Sequence, residues 1–276
     1  MPDALKAAPL FIGFSVTTTW PAVTQTFNFG QTPFVNSPAD GFQPLNAANL
    51  RPQIVLSRPD QFVGVTTYTG NITARKIDMG LLAPDFVWIK SRPSSYHILT
   101  DSVRGVGKQM YSNTADIDAS NSDRLTSFDP DGFSLAANTG SGGVNTDNYA
   151  YVAWAWRAGG SRFTYNKDGG GGSSAADIGV SATTLTLTGA SINTTSKFGI
   201  YAYTGSGSGG ATLNHGLGGT PGMVIYKKRT GSTSSWQVYH QSLGGTNYLT
   251  LDENADMYTS DSTRFGGTDP TSTTIT

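Results

Sequence analysis

Few residues of this chain have the types and spacing that catalysis requires. The three histidines, His97, His215 and His240, lie far apart in sequence, and none is flanked by a cluster of carboxylates. The chain has no cysteine, which excludes disulfides, thiolate metal sites and cysteine nucleophiles. Glu253 is the only glutamate, and no Asp–Glu pair has the character of a glycosidase acid and base. We therefore expect no enzyme activity, no catalytic residue and no cofactor.

Two Asp-x-Asp pairs could contribute to a calcium site. They are Asp116 with Asp118, and Asp129 with Asp131. Carboxylates at this spacing, together with nearby carbonyl oxygens, suit Ca²⁺. However, the order Asp-Pro-Asp-Gly over residues 129–132 also predicts a tight turn, and we favour that interpretation. Asp129 and Asp131 remain the calcium candidates.

One aromatic group could bind a carbohydrate. Trp236, Tyr239 and His240 lie within five positions of one another, and such rings stack on sugars. The alternative is that the same rings pack inside the protein. If they line an open concavity, a glycan site is favoured; if they are buried, it is not.

The composition is typical of an all-β protein rich in turns. Only 13% of the residues are charged, and 34 are glycine. Apolar residues alternate in short runs separated by Gly, Pro, Asn and Asp, whereas helical periodicity is nearly absent. Strands at this spacing predict a β-sandwich or barrel. With a net charge of −1, the chain has no long-range attraction for nucleic acid, and its apolar runs are too short to enter a membrane.

The sequence repeats itself with an offset of about 136 residues. Three blocks recur in the same order and at nearly the same spacing. Such a long period indicates duplication of a whole domain rather than a solenoid. The blocks are residues 62–70 with 198–205, residues 80–84 with 216–221, and residues 87–92 with 224–229.

These repeats divide the chain into four predicted parts. Residues 1–54 would form the end of a preceding β-domain or an N-terminal arm. Residues 55–160 would form the first sandwich, and residues 183–276 would form the second. Residues 161–182, rich in Gly and Ser, would form a linker between them.

The second copy lacks a counterpart of one strand. In the first copy, residues 149–156 alternate so that Trp154 and Trp156 share one face, which we expect to be the core. The second copy stops at Thr276, before an equivalent strand. We expect chain beyond Thr276, or a strand from another subunit, to cover the apolar face and the sheet edge that this leaves.

Several of these segments resemble bacteriophage structural proteins. The resemblance implies a concanavalin A-like or laminin-G-like sandwich of jelly-roll type, on a virion, as tail fibre, head fibre or decoration. It implies no catalytic or ligand-binding residue. Residues 27–34, 41–42 and 45–46 are similar to the end of SPRY-like phage domains. Residues 84–92, 101–105, 128–133 and 149–156 resemble a repeat domain of tailed-phage proteins, and residues 203–205, 215–218, 224–225, 236, 239–240 and 270–272 resemble a second form of it.

The first functional hypothesis is therefore a phage virion appendage protein that projects from the particle surface and attaches to a host. Its expected partners are further copies of itself in a homotrimer, other virion proteins and a host surface polysaccharide, but neither nucleic acid nor membrane. The alternative is a lectin-like module that recognises host glycans. A glycan-degrading enzyme is the third hypothesis. Head or tail location and the host stay open.

Overall fold

A computed structural model describes residues 58–276, except 94–95, 138–141 and 161–162. The described residues belong to one compact unit, residues 56–276. We call residues 58–160 the first half and residues 163–276 the second half. The prediction for residues 1–54 lies outside the described residues.

The prediction of an all-β protein is confirmed. Helical structure in the described residues is confined to two single 3-10 turns, Pro59–Gln61 and Ala176–Ile178. The strands of the first half are β1 (Val63–Thr69), β2 (Arg75–Asp78), β3 (Phe86–Ser91), β4 (His97–Asp101), β5 (Lys108–Tyr111), β6 (Ala119–Ser120), β7 (Leu125–Asp129), β8 (Gly132–Leu135) and β9 (Ala150–Trp156). Those of the second half are β10 (Tyr165–Lys167), β11 (Gly170–Gly172), β12 (Ser181–Ala182), β13 (Thr186–Asn193), β14 (Phe198–Thr204), β15 (Leu213–Asn214), β16 (Met223–Tyr226), β17 (Gln237–His240), β18 (Leu249–Thr250) and β19 (Thr274–Ile275).

The first half is a sandwich of two antiparallel sheets. Six strands form one sheet in the order β1-β9-β3-β4-β5-β6, and three form the other in the order β2-β8-β7. Apolar side chains from both sheets interdigitate between them, as expected for face-to-face packing. This core contains Ile77, Leu82, Val87, Ile89, Ile98, Leu125, Phe133, Leu135, Val144, Tyr151, Ala153 and Ala155.

The two faces of β9 are the reverse of the sequence prediction. Tyr151, Ala153 and Ala155 point into the core, whereas Trp154 and Trp156 lie half-buried on the opposite face. The alanines leave room for the opposing sheet to approach, which indole rings at those positions would prevent. Trp156 instead stacks on Phe198 of the second half, with ring centroids 6.1 Å apart. Part of the outer face, at Trp156, is therefore a junction between the two halves.

The second half contains three smaller sheets. Their orders are β11-β10-β13-β14, β12-β15-β19 and β16-β17-β18. The first two enclose a core that includes Val180, Ala190, Ile192 and Leu213. A separate aromatic cluster of Tyr239, Tyr248 and Phe265 packs on one face of the third sheet.

The predicted linker is in part a structured hairpin. Strand β10 pairs in parallel with β13 and antiparallel with β11, so residues 165–172 belong to the first sheet of the second half. The glycines permit this arrangement. A Cβ atom on Gly171 would lie 2.0 Å from the ring of Phe163, so only glycine lets that ring cross the hairpin. The sequence predicts a linker here because the glycines have no side chains. In the structure, the same property lets the ring of Phe163 pack closely against the hairpin.

The strand pairing repeats between the halves. Strands β3, β4 and β5 are consecutive neighbours in their sheet, and β16, β17 and β18 are consecutive neighbours in theirs. Likewise β2 pairs with β8, and β15 pairs with β19. Strand β9 lies between β1 and β3, but among the described residues no strand lies between their counterparts β14 and β16.

Candidate functional site

Trp236, the first of the predicted glycan-binding residues, is buried. Its side chain packs with Leu99 and Met110 of the first half. Its indole nitrogen donates a hydrogen bond to the main-chain oxygen of Tyr111 at 2.8 Å. With only 5% of the residue exposed, the ring is not accessible to a sugar.

Tyr239 and His240 do not share a surface with Trp236. Tyr239 is buried against Phe265, and its hydroxyl donates to Asp269 at 3.2 Å. Tyr239 and His240 are consecutive on β17, so their side chains leave opposite faces of the strand. The ring of His240 accepts a hydrogen bond from the amide of Ser242 at Nδ1. The structure therefore does not assemble the predicted glycan platform.

The calcium candidates have other partners. Asp129 and Gly132 pair across the β7–β8 hairpin, which confirms the tight turn. The Asp129 carboxylate accepts hydrogen bonds from the hydroxyls of Ser127 and Ser134, each at 2.7 Å. Asp131 instead forms an ion pair with Lys76. The part of the chain that the structure describes contains no group of three or more His, Cys, Asp or Glu residues that could hold a metal ion.

A buried ion network joins the two halves. Asp118 accepts hydrogen bonds from Arg104 at 3.0 Å and from Arg229 at 3.0 and 3.2 Å. Arg104 also donates to Asp101 at 2.6 Å. The side chains of all but Arg229 are almost fully shielded from water. A carboxylate between two guanidinium groups is well compensated there, and loss of Asp118 would remove one of the two carboxylates that Arg104 contacts and the carboxylate that Arg229 contacts.

Asp85 forms a second polar centre near this junction. Its carboxylate accepts hydrogen bonds from the amides of Ala158 at 2.8 Å and Gly160 at 2.9 Å, and from the hydroxyl of Ser102 at 3.0 Å. Burial raises the pKa of Asp85, although these hydrogen bonds oppose the shift. Asp85 therefore fixes the segment that leaves β9 and enters the second half.

Open strand edges are the most distinctive surface feature of the second half. Strand β14 pairs with β13, and β16 pairs with β17, but within the described ranges the other edge of each strand has no partner. Three large side chains on these strands are exposed: Tyr203 by 43%, Met223 by 56% and Ile225 by 40%. We call these two edges, Phe198–Thr204 and Met223–Tyr226, the acceptor edges. Unpaired edges with exposed apolar side chains are sites of strand addition.

Tyr226 of one acceptor edge and Tyr203 of the other interact electrostatically. Burial raises the pKa of Tyr226 to about 12, and the nearby hydroxyl of Tyr203 adds to this shift. In the first half, Tyr68 is the counterpart of Tyr203, and it stacks on Tyr151 of β9 with ring centroids 5.0 Å apart. Tyr203 therefore occupies the position of a ring that a central strand covers in the first half.

The glycines that follow these tyrosines differ in the same way. Gly70 donates to Tyr149 and accepts from Asn148, and a Cβ atom at Gly70 would lie 1.9 Å from the oxygen of Thr146. Gly205, its counterpart, has no atom within 4 Å of the equivalent point. The residues that precede β9 therefore fill the space beside Gly70, whereas the space beside Gly205 is open.

Comparison with known proteins gives one match. A family model described as a domain of unknown function, DUF7483, matches residues 58–276. Neither the curated proteins nor the solved structures include a match. A search of the described residues finds no helix whose length and hydropathy would let it span a membrane.

Proposed function

The chain belongs to the DUF7483 family, and within that family of unknown function we propose that it is a structural and adhesive subunit of a bacteriophage particle. It would be displayed on the particle surface as a tail fibre, a head fibre or a decoration. The proposal combines the resemblance of its sequence blocks with the way in which its two halves are joined.

The observation that carries the proposal is the rigid junction between the halves. Asp118 and Arg229 pair across it, and Trp236 is inserted against strands of the first half. The side-chain amide of Asn193 also donates to the oxygen of Ala158 at 3.1 Å. A junction made of buried polar and aromatic contacts resists relative motion of the two sandwiches. Such stiffness suits a part that projects from a particle and bears load.

The polar residues favour structure over catalysis. Asp85, Asp118 and Asp129 are each held by hydrogen bonds from protein donors, in different places. A glycosidase would instead need two carboxyl groups facing each other across a groove, about 5 to 9 Å apart. We therefore place the glycan-degrading enzyme last among the three hypotheses.

The structure does not favour the lectin alternative at the residues predicted for it. Trp236 and Tyr239 are buried, so recognition of a host glycan would have to use other side chains. Attachment to a host surface remains part of the proposed function, but without assigned contact residues.

Two measurements test the proposed function. Immunogold labelling of purified phage particles with an antibody against residues 58–276 should place the protein on the particle surface. Light scattering of the purified chain should give three times the mass of a monomer, as expected for a homotrimeric fibre. Absence of the label from particles whose lysate contains the protein would contradict the virion role, and a monomeric mass would contradict the trimer.

A further inference from the structure

We propose that the exposed ring of Tyr258 and the carboxylate of Glu253 form a binding site for a neutral pyranose sugar of a host surface polysaccharide. The sugar would stack on the outer face of the tyrosine ring, and its hydroxyl groups would donate hydrogen bonds to the carboxylate. This inference deepens the attachment role and rests on the proposed function for the source of the glycan. The binding chemistry itself rests on contacts within the second half.

The main chain holds Tyr258 in place beside β18. Tyr258 and Tyr248, the residue before β18, exchange two main-chain hydrogen bonds, at 3.0 and 2.9 Å. The chain is attached again three residues later, where the amide of Asp261 donates to the oxygen of Thr246 at 2.9 Å. The segment that carries Tyr258 is therefore fixed before a ligand binds, which reduces the entropy lost on binding.

The two tyrosine rings form a parallel stack. Their centroids are 4.7 Å apart, and their planes differ by 6°. Tyr248 is the buried member, and the guanidinium of Arg264 lies 6.0 Å from its ring centroid. Tyr258 is 39% exposed, and because one face of its ring covers Tyr248, the opposite face meets the solvent. A flat ring held in this way presents an apolar surface on which a pyranose ring can stack.

Glu253 provides an exposed hydrogen-bond acceptor at the edge of that ring. Its carboxylate accepts hydrogen bonds from the hydroxyls of Tyr258 at 3.1 Å, Thr250 at 3.3 Å and Ser235. These hydrogen bonds, with that from Ser235 the strongest, lower the pKa of Glu253, so the group is charged at neutral pH. Among the residues that the structure describes, no Lys or Arg forms an ion pair with it. A carboxylate accepts about four hydrogen bonds, so a ligand can supply another.

The charge around the ring favours a neutral sugar over an acidic one. Residues 252–264 contain four acidic residues and one arginine, which gives this segment a formal charge of −3. A uronic acid would be repelled there, whereas the hydroxyls of a neutral sugar would donate to Glu253. A wholly apolar ligand would cover the carboxylate without supplying a donor, at a cost in desolvation. An apolar ring beside a charged acceptor therefore fits a molecule with C–H groups on one face and hydroxyls at its edge.

The experiment records ¹⁹F NMR spectra of the full 276-residue chain labelled with 3-fluorotyrosine. The Tyr258→Phe variant assigns the resonance of Tyr258 among those of the 12 tyrosines. The neutral probes are the methyl glycosides of glucose, galactose, mannose, rhamnose and N-acetylglucosamine. The charged probes are butylammonium and the uronic acid form of the glycoside that binds. We expect at least one neutral glycoside to shift the Tyr258 resonance saturably, and its uronic acid form to bind about tenfold more weakly.

Matched variants separate sugar binding from folding, with saturation-transfer NMR of the sugar as the measure of binding. Tyr258→Ala removes the ring and should abolish binding. Tyr96→Ala is its control and should leave binding unchanged, because Tyr96 is also an exposed tyrosine whose ring packs on a second one, Tyr111. Glu253→Gln keeps the size of the side chain but removes its charge, and it should weaken binding of the neutral glycoside about tenfold. Should Tyr258→Ala fail to fold, Glu253→Gln supplies the test, because Glu253 is exposed.

The outcomes that would overturn the inference are specific. They are the absence of a saturable shift with every neutral glycoside, equal loss of binding in Tyr258→Ala and Tyr96→Ala, and preferential binding of butylammonium or of a uronic acid. Sugar binding by a chain that is absent from phage particles would support the site while contradicting the virion role. Labelled particles whose protein binds no sugar would contradict the site alone, so the two failures are distinguishable.

Discussion

Asp118 and Arg229 are joined through both their side chains and their main chains. The Arg229 guanidinium donates two hydrogen bonds to the Asp118 carboxylate, and the Asp118 amide donates to the Arg229 oxygen at 3.0 Å. The two residues belong to different halves of the molecule. Because the contact includes a main-chain hydrogen bond, the backbones at Asp118 and Arg229 lie next to each other. The ion pair adds a side-chain interaction to this backbone contact.

Replacing Asp118 should therefore destabilise the whole unit. Asp118→Ala leaves Arg104 buried with one fewer acceptor and Arg229 without its carboxylate, and we expect a loss of about 3–5 kcal/mol in the free energy of unfolding. Urea denaturation followed by tryptophan fluorescence measures this loss. Asp60→Ala is the control, because Asp60 forms an exposed pair with Arg58, and it should leave the midpoint unchanged. Equal midpoints for both variants would contradict the structural role of the network.

The two equivalent glycines give a second prediction. Gly70→Ala forces a methyl group to within 1.9 Å of the Thr146 oxygen and should cost about 1–3 kcal/mol or more. Gly205→Ala meets no atom and should change stability by less than about 0.5 kcal/mol. Thermal unfolding of the two variants side by side checks the difference. A similar loss in both would mean that the space beside Gly205 is already filled.

Replacing Asp85 should change the stability of the protein in two ways, through its hydrogen bonds and through its pKa. Asp85→Ala leaves two buried amides and one hydroxyl without their acceptor, at about 1–3 kcal/mol for each unsatisfied group. Asp85→Asn keeps an acceptor oxygen and should be much less destabilising. Chemical denaturation of the two variants at a single pH measures this difference.

The pH effect follows from the raised pKa of Asp85. Its contribution to stability is largest below the unfolded value of 3.8 and is lost as the pH rises through the higher folded value. From pH 4 upward, Asp85→Asn should therefore gain stability relative to the parent chain. Parallel stability curves would contradict this assignment.

His215 should titrate below its ordinary value. It is fully buried, its Nδ1 accepts from the Leu217 amide at 3.2 Å, and its Nε2 lies 3.3 Å from the oxygen of Thr271. Burial lowers the pKa of His215 from 6.5, so its contribution to stability is present above pH 6.5 and is lost as the pH falls through the folded value. NMR titration measures this midpoint, with His97→Gln and His240→Gln variants to assign the signals. A midpoint at or above 6.5 would show that His215 is accessible to water.

The orientation of β9 is tested by adding volume to each face of the sheet. Ala153→Leu inserts three carbon atoms into the packed core and should cost about 1–3 kcal/mol. Val65→Leu adds one carbon atom on the exposed outer face and should leave the melting temperature unchanged. If Ala153→Leu is neutral and Val65→Leu is not, the two faces are assigned incorrectly.

The sequence predicts where the strands of this fold lie better than it predicts which face of each strand is buried. Alternation locates β9 and separates its two faces, but the alternation does not show which face is buried, so it does not reveal that Ala153 and Ala155 lie in the core while Trp154 and Trp156 are half-buried on the outer face. Glycine runs have a similar ambiguity. The run at residues 169–172 lacks side chains for a core, and the same property lets the ring of Phe163 pack across it.

The candidate site shows the same limit. The turn at residues 129–132 follows from local chemistry and is found. Adjacent positions on a strand point to opposite faces, and that rule alone separates Tyr239 from His240. The Asp118–Arg229 pair joins residues that lie in different repeats, so no local pattern identifies it. Tyr203 becomes notable only when its exposed ring is compared with the covered ring of Tyr68.

The position of β9 also determines when the first sandwich can close as the protein is synthesised. Val63 and Phe86 are synthesised well before Trp156, yet both pair with it, and β9 is the last strand of its sheet to leave the ribosome. Until then, β1 and β3 have no strand between them. Closure of the first sandwich is thus a late, long-range event, of the kind that slows the folding of β-proteins.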